Sequence, residues 1–230
     1  MKIGLHAWGS EGDIRPVIAL AGGLHDVGHE TVIAISSVDN KDYTDICNKL
    51  GVKYIKAVKW MDFDIKQLVR LANRNSIFIM KGLMDILFDP YIDEMHNASK
   101  HLAEECDITI GHVLSFPLKL AAHKAKKPYY SITYLSSMIP STSYIPSPGG
   151  DLGWLLNKLA WGIINPALDW YLGQSTKKLF REYGLPPFEH ILTNGWYSDT
   201  LNLLSASPLL TRVGRDWDSW HKVCGYFRIP

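Results

Sequence analysis

The sequence predicts an α/β fold with an open, mostly parallel sheet that has helices on both faces. Short apolar runs alternate along the chain with segments of helical periodicity. The first strand, turn, helix and strand fit into about 35 residues, which favours a parallel pair. Gly28 and Gly51 stand where two of the helices should end. Together these features predict a Rossmann-like, doubly wound domain.

Seven apolar or β-branched segments are expected to form the strands. They are residues 2–7, 30–35, 53–58, 106–111, 129–134, 201–205 and 222–227. Helical spacing of apolar residues predicts the helices between them. These are residues 14–27, 41–50, 64–87, 90–105, 116–127, 152–164 and 166–183. Residues 136–150 are rich in proline and glycine, which predicts a long loop after the fifth strand.

Composition limits the possible functions. The chain has 230 residues, 47% of them hydrophobic, which suffices for one large domain over residues 1–230. The 24 Lys and Arg nearly balance the 23 Asp and Glu, so no basic excess indicates a nucleic-acid partner. Its three cysteines lack metal or disulfide spacing, which predicts buried free thiols in a reducing compartment. With no signal peptide at the start, a cytoplasmic location is expected.

Residues 153–173 form the most apolar helical segment. Lys158, Asn165 and Asp169 make one narrow polar stripe along it, and this is too polar for a membrane span. The helix should therefore be buried, or it should lie against lipid or an apolar ligand. Both interpretations stay open for its three tryptophans, and a peripheral membrane contact is one of them. These are Trp154, Trp161 and Trp170.

The turn after the first strand reads Gly9-Ser10-Glu11-Gly12-Asp13. It is neither the dinucleotide-binding glycine motif nor a Walker A motif. A glycine loop that enters a helix N-terminus nevertheless favours an anion such as a phosphate. Asp13 can be the N-cap of that helix, or it can be a general base aimed into a cleft. The residues of the loop leave both roles open.

Further motifs follow this loop in a recognisable order. Residues 9–16 read Gly-Ser-x-Gly-Asp-Ile-x-Pro, and an apolar helix with Gly28-His29 comes next. Residues 106–130, Asn165 with residues 183–187, and residues 223–230 complete the set. In this order they resemble the N-terminal domain of the glycosyltransferases that act on sterols, lipids and antibiotic aglycones. The resemblance covers essentially the whole chain, and Arg181 is the candidate for the arginine of one motif.

That resemblance implies half of a GT-B fold, in which two Rossmann-like domains face each other across a cleft. It implies an inverting transfer of a hexose from a UDP- or TDP-sugar, with Asp13 as the base and no metal or other cofactor. Gly9, Ser10 and Gly12 would lie near the donor diphosphate. The second domain, which would hold most of the nucleotide sugar, is expected to be absent from this chain.

The first domain of this family binds the acceptor, so the loops that follow the strands should contact a lipophilic hydroxylated molecule. The candidates are Trp8, His112, Phe116, Tyr134, Met138 and Tyr144. For each of the aromatic residues, ordinary core packing is the alternative. A non-catalytic acceptor-binding module and a different Rossmann-like nucleotide-binding protein are the alternative functions.

Overall fold

The computed structural model describes residues 1–63, 82–145, 150–184, 190 and 195–229. Within these residues seven strands form a single sheet in which every pairing is parallel. Their order across the sheet is β3-β2-β1-β4-β5-β6-β7. The strands are β1 (Lys2–Gly9), β2 (Glu30–Ser37), β3 (Lys53–Lys56), β4 (Ile108–His112), β5 (Tyr129–Thr133), β6 (Asn202–Leu204) and β7 (His221–Val223). The predicted fold class is confirmed.

Five α-helices connect the strands in the described part of the chain. They are α1 (Glu11–Asp26), α2 (Thr44–Lys49), α3 (Ile92–Glu105), α4 (Phe116–Ala125) and α5 (Trp154–Tyr183). A π-helical turn (Met84–Phe88) and a 3₁₀ turn (Asp89–Tyr91) precede α3, and a second 3₁₀ turn (Ser136–Met138) follows β5. The helix expected over residues 64–87 lies mostly outside the described residues.

The centre of the sheet is buried on both faces. Ile3 and Leu5 of β1 pack with Val17 of α1 on one face. On the other face a Cβ on Gly4 would lie 2.9 Å from Cys106 Sγ, so α3 and its C-terminus approach the strand closely. His6 points to this second face. Two apolar layers therefore enclose the strands, as the near-continuous hydrophobic runs of a parallel sheet require.

His6 places a polar group inside this core. Its ring is fully buried, with Nδ1 2.9 Å from Ser99 Oγ and Nε2 3.1 Å from Ser36 Oγ. Burial lowers the pKa of His6 to about 3, and nearby His112 adds to that shift. Both ring nitrogens thus have partners while the imidazole is neutral, which limits the cost of burying it.

Helix α5 corrects the prediction of two helices, 152–164 and 166–183. It runs unbroken over 30 residues with Pro166 inside it. Proline removes one backbone donor and usually ends a helix, but a long helix that packs on the protein can keep one proline as a local defect. No helix in the described part of the chain is long and apolar enough to cross a membrane.

The cysteines agree with the sequence in part. Cys47 and Cys106 are buried free thiols, and burial raises the pKa of each to about 11. Cys224 is also free but exposed, contrary to the expectation that all three are buried. It lies just after β7 at the edge of the sheet, where no further strand covers it.

Candidate active site

The strand order reverses direction between β1 and β4. From β1 the chain proceeds outward through β2 and β3, and it then returns to add β4 on the other side. In open α/β sheets ligands bind at this reversal, beyond the carboxyl ends of the strands. The loops that follow β1, β4 and β5 meet at this edge of the sheet. The candidate residues predicted from the sequence lie in these three loops or next to them.

The glycine loop joins β1 directly to α1. Gly9 is the last residue of the strand and has a φ of +133°, which residues with a side chain rarely adopt. A Cβ at this position would lie 2.4 Å from Asp13 Oδ2. Glycine is therefore required here for two reasons, its backbone conformation and the close approach of the Asp13 carboxylate.

Ser10 caps the helix and binds Asp13. The backbone N–H of Ser10 donates to Asp13 Oδ2 over 2.9 Å, and its hydroxyl donates to the same oxygen over 3.0 Å. The N-cap is thus Ser10, and Asp13 occupies the third helical position of a capping box. This corrects the expectation that Asp13 itself might be the N-cap. Asp13 Oδ1 accepts no hydrogen bond from a described residue.

Asp13 lies in the wall of a cavity of about 130 Å³ at the carboxyl edge of the sheet. The cavity collects one to three residues from each of the loops after β1, β4 and β5, and most of its wall is apolar. It is lined by Asp13, His112, Val113, Leu114, Thr133, Tyr134, Leu135, Met138 and Trp196. The structure thus brings together four of the residues proposed from the sequence: Asp13, His112, Tyr134 and Met138.

His112 is the most unusual group in this wall. Its side chain is 4% exposed, and among the described residues its Nδ1 has no hydrogen-bond partner. Burial lowers the pKa of His112 to about 4, while the nearby Asp13 carboxylate opposes that shift. The imidazole is therefore neutral at pH 7, and its Nδ1 is a buried polar atom without a partner among the described residues.

Tyr134 connects the two sides of the cavity. Its ring stacks on His112 with centroids 5.1 Å apart and an interplanar angle of 24°. Its hydroxyl donates to the backbone oxygen of Asp13 over 2.5 Å. Burial raises the pKa of Tyr134. Because of these contacts, the end of β5 holds the first turn of α1 in place and fixes the position of Asp13 relative to His112.

Trp8 and Phe116 lie in the hydrophobic core, outside the cavity wall. Trp8 is 7% exposed and Phe116 is fully buried, and both pack on Phe88 with ring centroids 5.5 and 5.0 Å away. The Trp8 indole donates to the backbone oxygen of Leu87. Neither ring lines the described cavity, and their contact with an acceptor stays a prediction.

Tyr144 supports the site from behind. Its hydroxyl is 2.8 Å from the Ser136 oxygen and 3.1 Å from the Ile139 oxygen, at the two ends of the short turn that carries Met138. Tyr144 does not line the cavity. Tyr144 instead stabilises the short turn that carries Met138. The backbone oxygen of Tyr144 in turn accepts a hydrogen bond of 2.7 Å from the indole of Trp161 in α5.

Leu114, Leu135 and Trp196 line the cavity without having been selected from the sequence. Leu114 and Leu135 follow two of the relevant strands, so the rule that ligands bind after strands could have found them. Trp196 lies before β6, and no motif or spacing indicates that it reaches this edge.

Glu11 is the other carboxylate of the loop, and it is already paired. It accepts hydrogen bonds from Lys41 and, over 2.8 Å, from Arg15. The Lys41 bond, together with Arg15, lowers the pKa of Glu11. Glu11 is absent from the cavity wall, so Asp13 is the one carboxylate among the described residues that line it.

No family model matches the chain. A curated relative, the UDP-sugar-dependent glycosyltransferase 52 of Dictyostelium discoideum, is 33% identical over 98 residues, which are 41% of this chain and 5% of that protein. Among solved structures, the glycosyltransferase of kitacinnamycin superposes with a TM-score of 0.63 at 14% identity, over 98% of this chain and 51% of that one. The calicheamicin glycosyltransferase CalG4 gives a TM-score of 0.60 at 13% identity, over 98% and 51%.

The chain spans about half the length of these two solved structures and a small part of the curated relative. The similarity to the solved structures extends over nearly every residue, in agreement with the ordered motifs of the sequence. The resemblance is confirmed, and the chain has the fold of the N-terminal half of a GT-B glycosyltransferase.

Proposed function

We propose that this chain is the acceptor-binding half of a glycosyltransferase that moves a hexose from a nucleotide sugar to a hydroxyl of a lipophilic acceptor. The acceptor oxygen attacks the anomeric carbon while the bond from that carbon to the diphosphate breaks. The hydroxyl proton passes to the Asp13 carboxylate, and the nucleoside diphosphate leaves. Attack opposite the leaving group inverts the anomeric configuration.

The position of Asp13 is the observation that carries this proposal. A general base must lie within hydrogen-bond reach of the proton that it removes. Asp13 borders an otherwise largely apolar cavity, and its Oδ1 accepts no hydrogen bond from the described residues. Ser10 holds the other carboxylate oxygen, so the free oxygen has a defined direction.

The glycine loop supports a diphosphate next to this base. Gly9, Ser10 and Gly12 surround the N-terminus of α1, whose free N–H groups and dipole favour an anion. The curated relative is named for its use of UDP-sugars, and we extend a UDP- or TDP-sugar donor to this chain. Most of the donor contacts would come from a second domain, as in the two-domain architecture of GT-B enzymes.

The cavity supports an acceptor with an apolar body and a hydroxyl at its end. Leu114, Leu135, Met138 and Trp196 supply apolar walls, and Asp13 supplies the carboxylate. Its volume of about 130 Å³ is below the roughly 300 Å³ of ordinary small-molecule pockets. The cavity therefore accommodates the reacting end of the acceptor, while the remainder lies in the open cleft.

Asp13→Asn in the full-length protein tests the proposal. Asparagine keeps the size and most hydrogen bonds of aspartate but cannot take up a proton, so kcat should fall at least about 100-fold. Glu11→Gln is the matched control, since Glu11 lies on the same helical turn outside the cavity. Its kcat should stay close to that of the wild type. Transfer assays with UDP- and TDP-hexoses, with and without EDTA, would measure donor choice and the proposed independence from metal.

Two results would contradict the proposal. A wild-type kcat in Asp13→Asn would remove Asp13 from the role of base. Acceptor binding by calorimetry, without transfer from any donor, would favour the non-catalytic binding module instead.

A further inference from the structure

The first half of α5 exposes an apolar surface, which we call the outer face. Leu155 and Leu156 are each 52% exposed, Leu159 is 56% exposed and Ile163 is 72% exposed. At about 100° per residue these side chains project from one side of the helix. Trp154, at the start of the helix, is 68% exposed. Contiguous apolar surfaces of this kind are uncommon on water-soluble monomers and mark interaction sites.

The opposite side of α5 is fixed to the protein. Asn157 is buried, and its amide donates to the Thr142 oxygen over 2.9 Å. Trp161 is 5% exposed and donates to the Tyr144 oxygen. These two anchors are one helical turn apart and set the rotation of the helix. These anchors on the inner side of α5 therefore keep the outer face directed away from the protein. Trp161 belongs to the core.

The charges around the outer face have one sign. Between residues 152 and 168 the only ionisable side chain is that of Lys158, which is exposed at the border of the face. The carboxylate of Asp151, just before the helix, is compensated by Arg212 at 2.5 Å. Between residues 151 and 168 the segment thus offers one unpaired cation and no unpaired carboxylate, which complements a negatively charged surface.

We propose that the outer face of α5 lies on the surface of a lipid bilayer that contains anionic phospholipids, with the helix parallel to the membrane plane. Leucine and isoleucine side chains would enter the boundary between head groups and acyl chains, typically by about 5–10 Å. Lys158 would reach the lipid phosphates.

A protein partner fits this surface less well. Protein interfaces combine an apolar centre with a polar rim that makes about one hydrogen bond per 100–200 Å². Between residues 152 and 168, Trp154 and Lys158 are the only exposed side chains that carry a hydrogen-bonding group. A bilayer needs no such donors and acceptors in the apolar layer.

Vesicle sedimentation with the intact chain tests the inference. The wild type should bind vesicles of phosphatidylcholine with phosphatidylglycerol, and it should bind phosphatidylcholine alone more weakly. The double variant Leu159→Glu with Ile163→Glu should lose at least about tenfold in binding, because each charge must leave water. Both sites are exposed, so the variant should keep the wild-type circular dichroism spectrum.

Leu209→Glu with Leu210→Glu is the matched control. These leucines are 95% and 81% exposed, and they lie in the segment after β6, away from α5 in sequence. This variant should bind vesicles as the wild type does.

Three outcomes would overturn the inference. One is that the wild type binds neither kind of vesicle. A second is that the control variant loses as much binding as the α5 variant. The third is that the lipid-free wild type elutes as a dimer on size-exclusion chromatography and the α5 variant elutes as a monomer, which would assign the outer face to a second copy of the chain.

Discussion

At the scale of single residues, Gly9 and Asp13 share one small space. The carboxylate fills the position that a side chain on Gly9 would need. Gly9→Ala should therefore lower the free energy of unfolding by about 1–3 kcal/mol, because alanine at this φ is strained. It should also displace the proposed base and reduce transfer by the full-length enzyme. Urea denaturation and a transfer assay would measure the two effects.

Gly12→Ala is the control for this substitution. A Cβ on Gly12 would have Ser10 Oγ as its nearest neighbour at 3.9 Å, and Gly12 lies inside α1. Alanine there should leave stability unchanged or raise it by up to about 1 kcal/mol. Equal losses in the two variants would contradict the requirement for glycine at position 9.

The residues of the site were predictable to different extents. His112 ends β4, Tyr134 directly follows β5 and Asp13 lies four residues after β1, so the rule that ligands bind beyond strand ends suffices to select them. The same rule selects Trp8 and Phe116, but it does not say which way a side chain points. The directions of the Trp8 and Phe116 side chains are set by their packing against Phe88. The sequence does not reveal where the segment that contains Phe88 lies in the fold.

At the scale of elements, α5 shows how packing overrides a local helix breaker. Pro166 lacks the N–H that would bond the oxygen of Gly162, yet the helix continues. Pro166→Ala should restore that bond and raise the free energy of unfolding by about 1–3 kcal/mol. Urea denaturation would measure this. A lower stability instead would show that the packing of α5 depends on the irregularity that proline creates.

Pro117→Ala provides the contrast. Pro117 lies in the first turn of α4, where a helix needs no N–H, and it is buried. Alanine there should not stabilise the protein, since it gains no hydrogen bond and loses contacts.

The edge of the sheet shows why strand ends are hard to predict. β6 and β7 have three residues each, although longer strands were expected. Asn202 is buried and joins three strands, since its oxygen accepts from Ser131 over 2.8 Å and its amide lies 3.0 Å from His221 Nδ1. The hydrophobic pattern locates such strands along the chain. Their length depends on a side-chain network of this kind, and the network leaves no periodic signal in the sequence.

At the scale of the whole molecule, two buried histidines link stability to pH. The folded pKa values are about 3 for His6 and about 4 for His112, both below the ordinary 6.5. As pH falls from 6.5 to 4 the unfolded chain takes up protons that the folded chain does not. The free energy of unfolding should therefore fall, by at most about 1.4 kcal/mol per pH unit for each histidine.

His112→Gln should reduce this slope, because glutamine does not titrate. Urea denaturation across pH 4–8 would measure it, and between pH 7 and 8 these two histidines should contribute no slope. An unchanged slope in the variant between pH 4 and 6.5 would contradict a neutral, buried His112.

The fold class was predictable because the central strands β1, β2 and β4 are largely apolar and alternate along the chain with segments of helical periodicity. The strand order was not, since it depends on the faces that α1 and α3 cover. Gly4 illustrates this, because its missing side chain admits Cys106 on one face while Ile3 meets α1 on the other. Such complementarity between distant segments has no local signature.

The central position of β1 has a consequence for synthesis on the ribosome. Lys2 pairs with Glu30, so one side of β1 can close soon after the first βαβ unit emerges. On the other side of β1, Ile3 can pair only after Ile108 of β4 has been translated. Until β4 is translated, the nascent chain carries an open strand edge in the future centre of the sheet, and such edges recruit other strands and cause aggregation. The strand order thus leaves this edge open to aggregation for as long as β4 has not been translated.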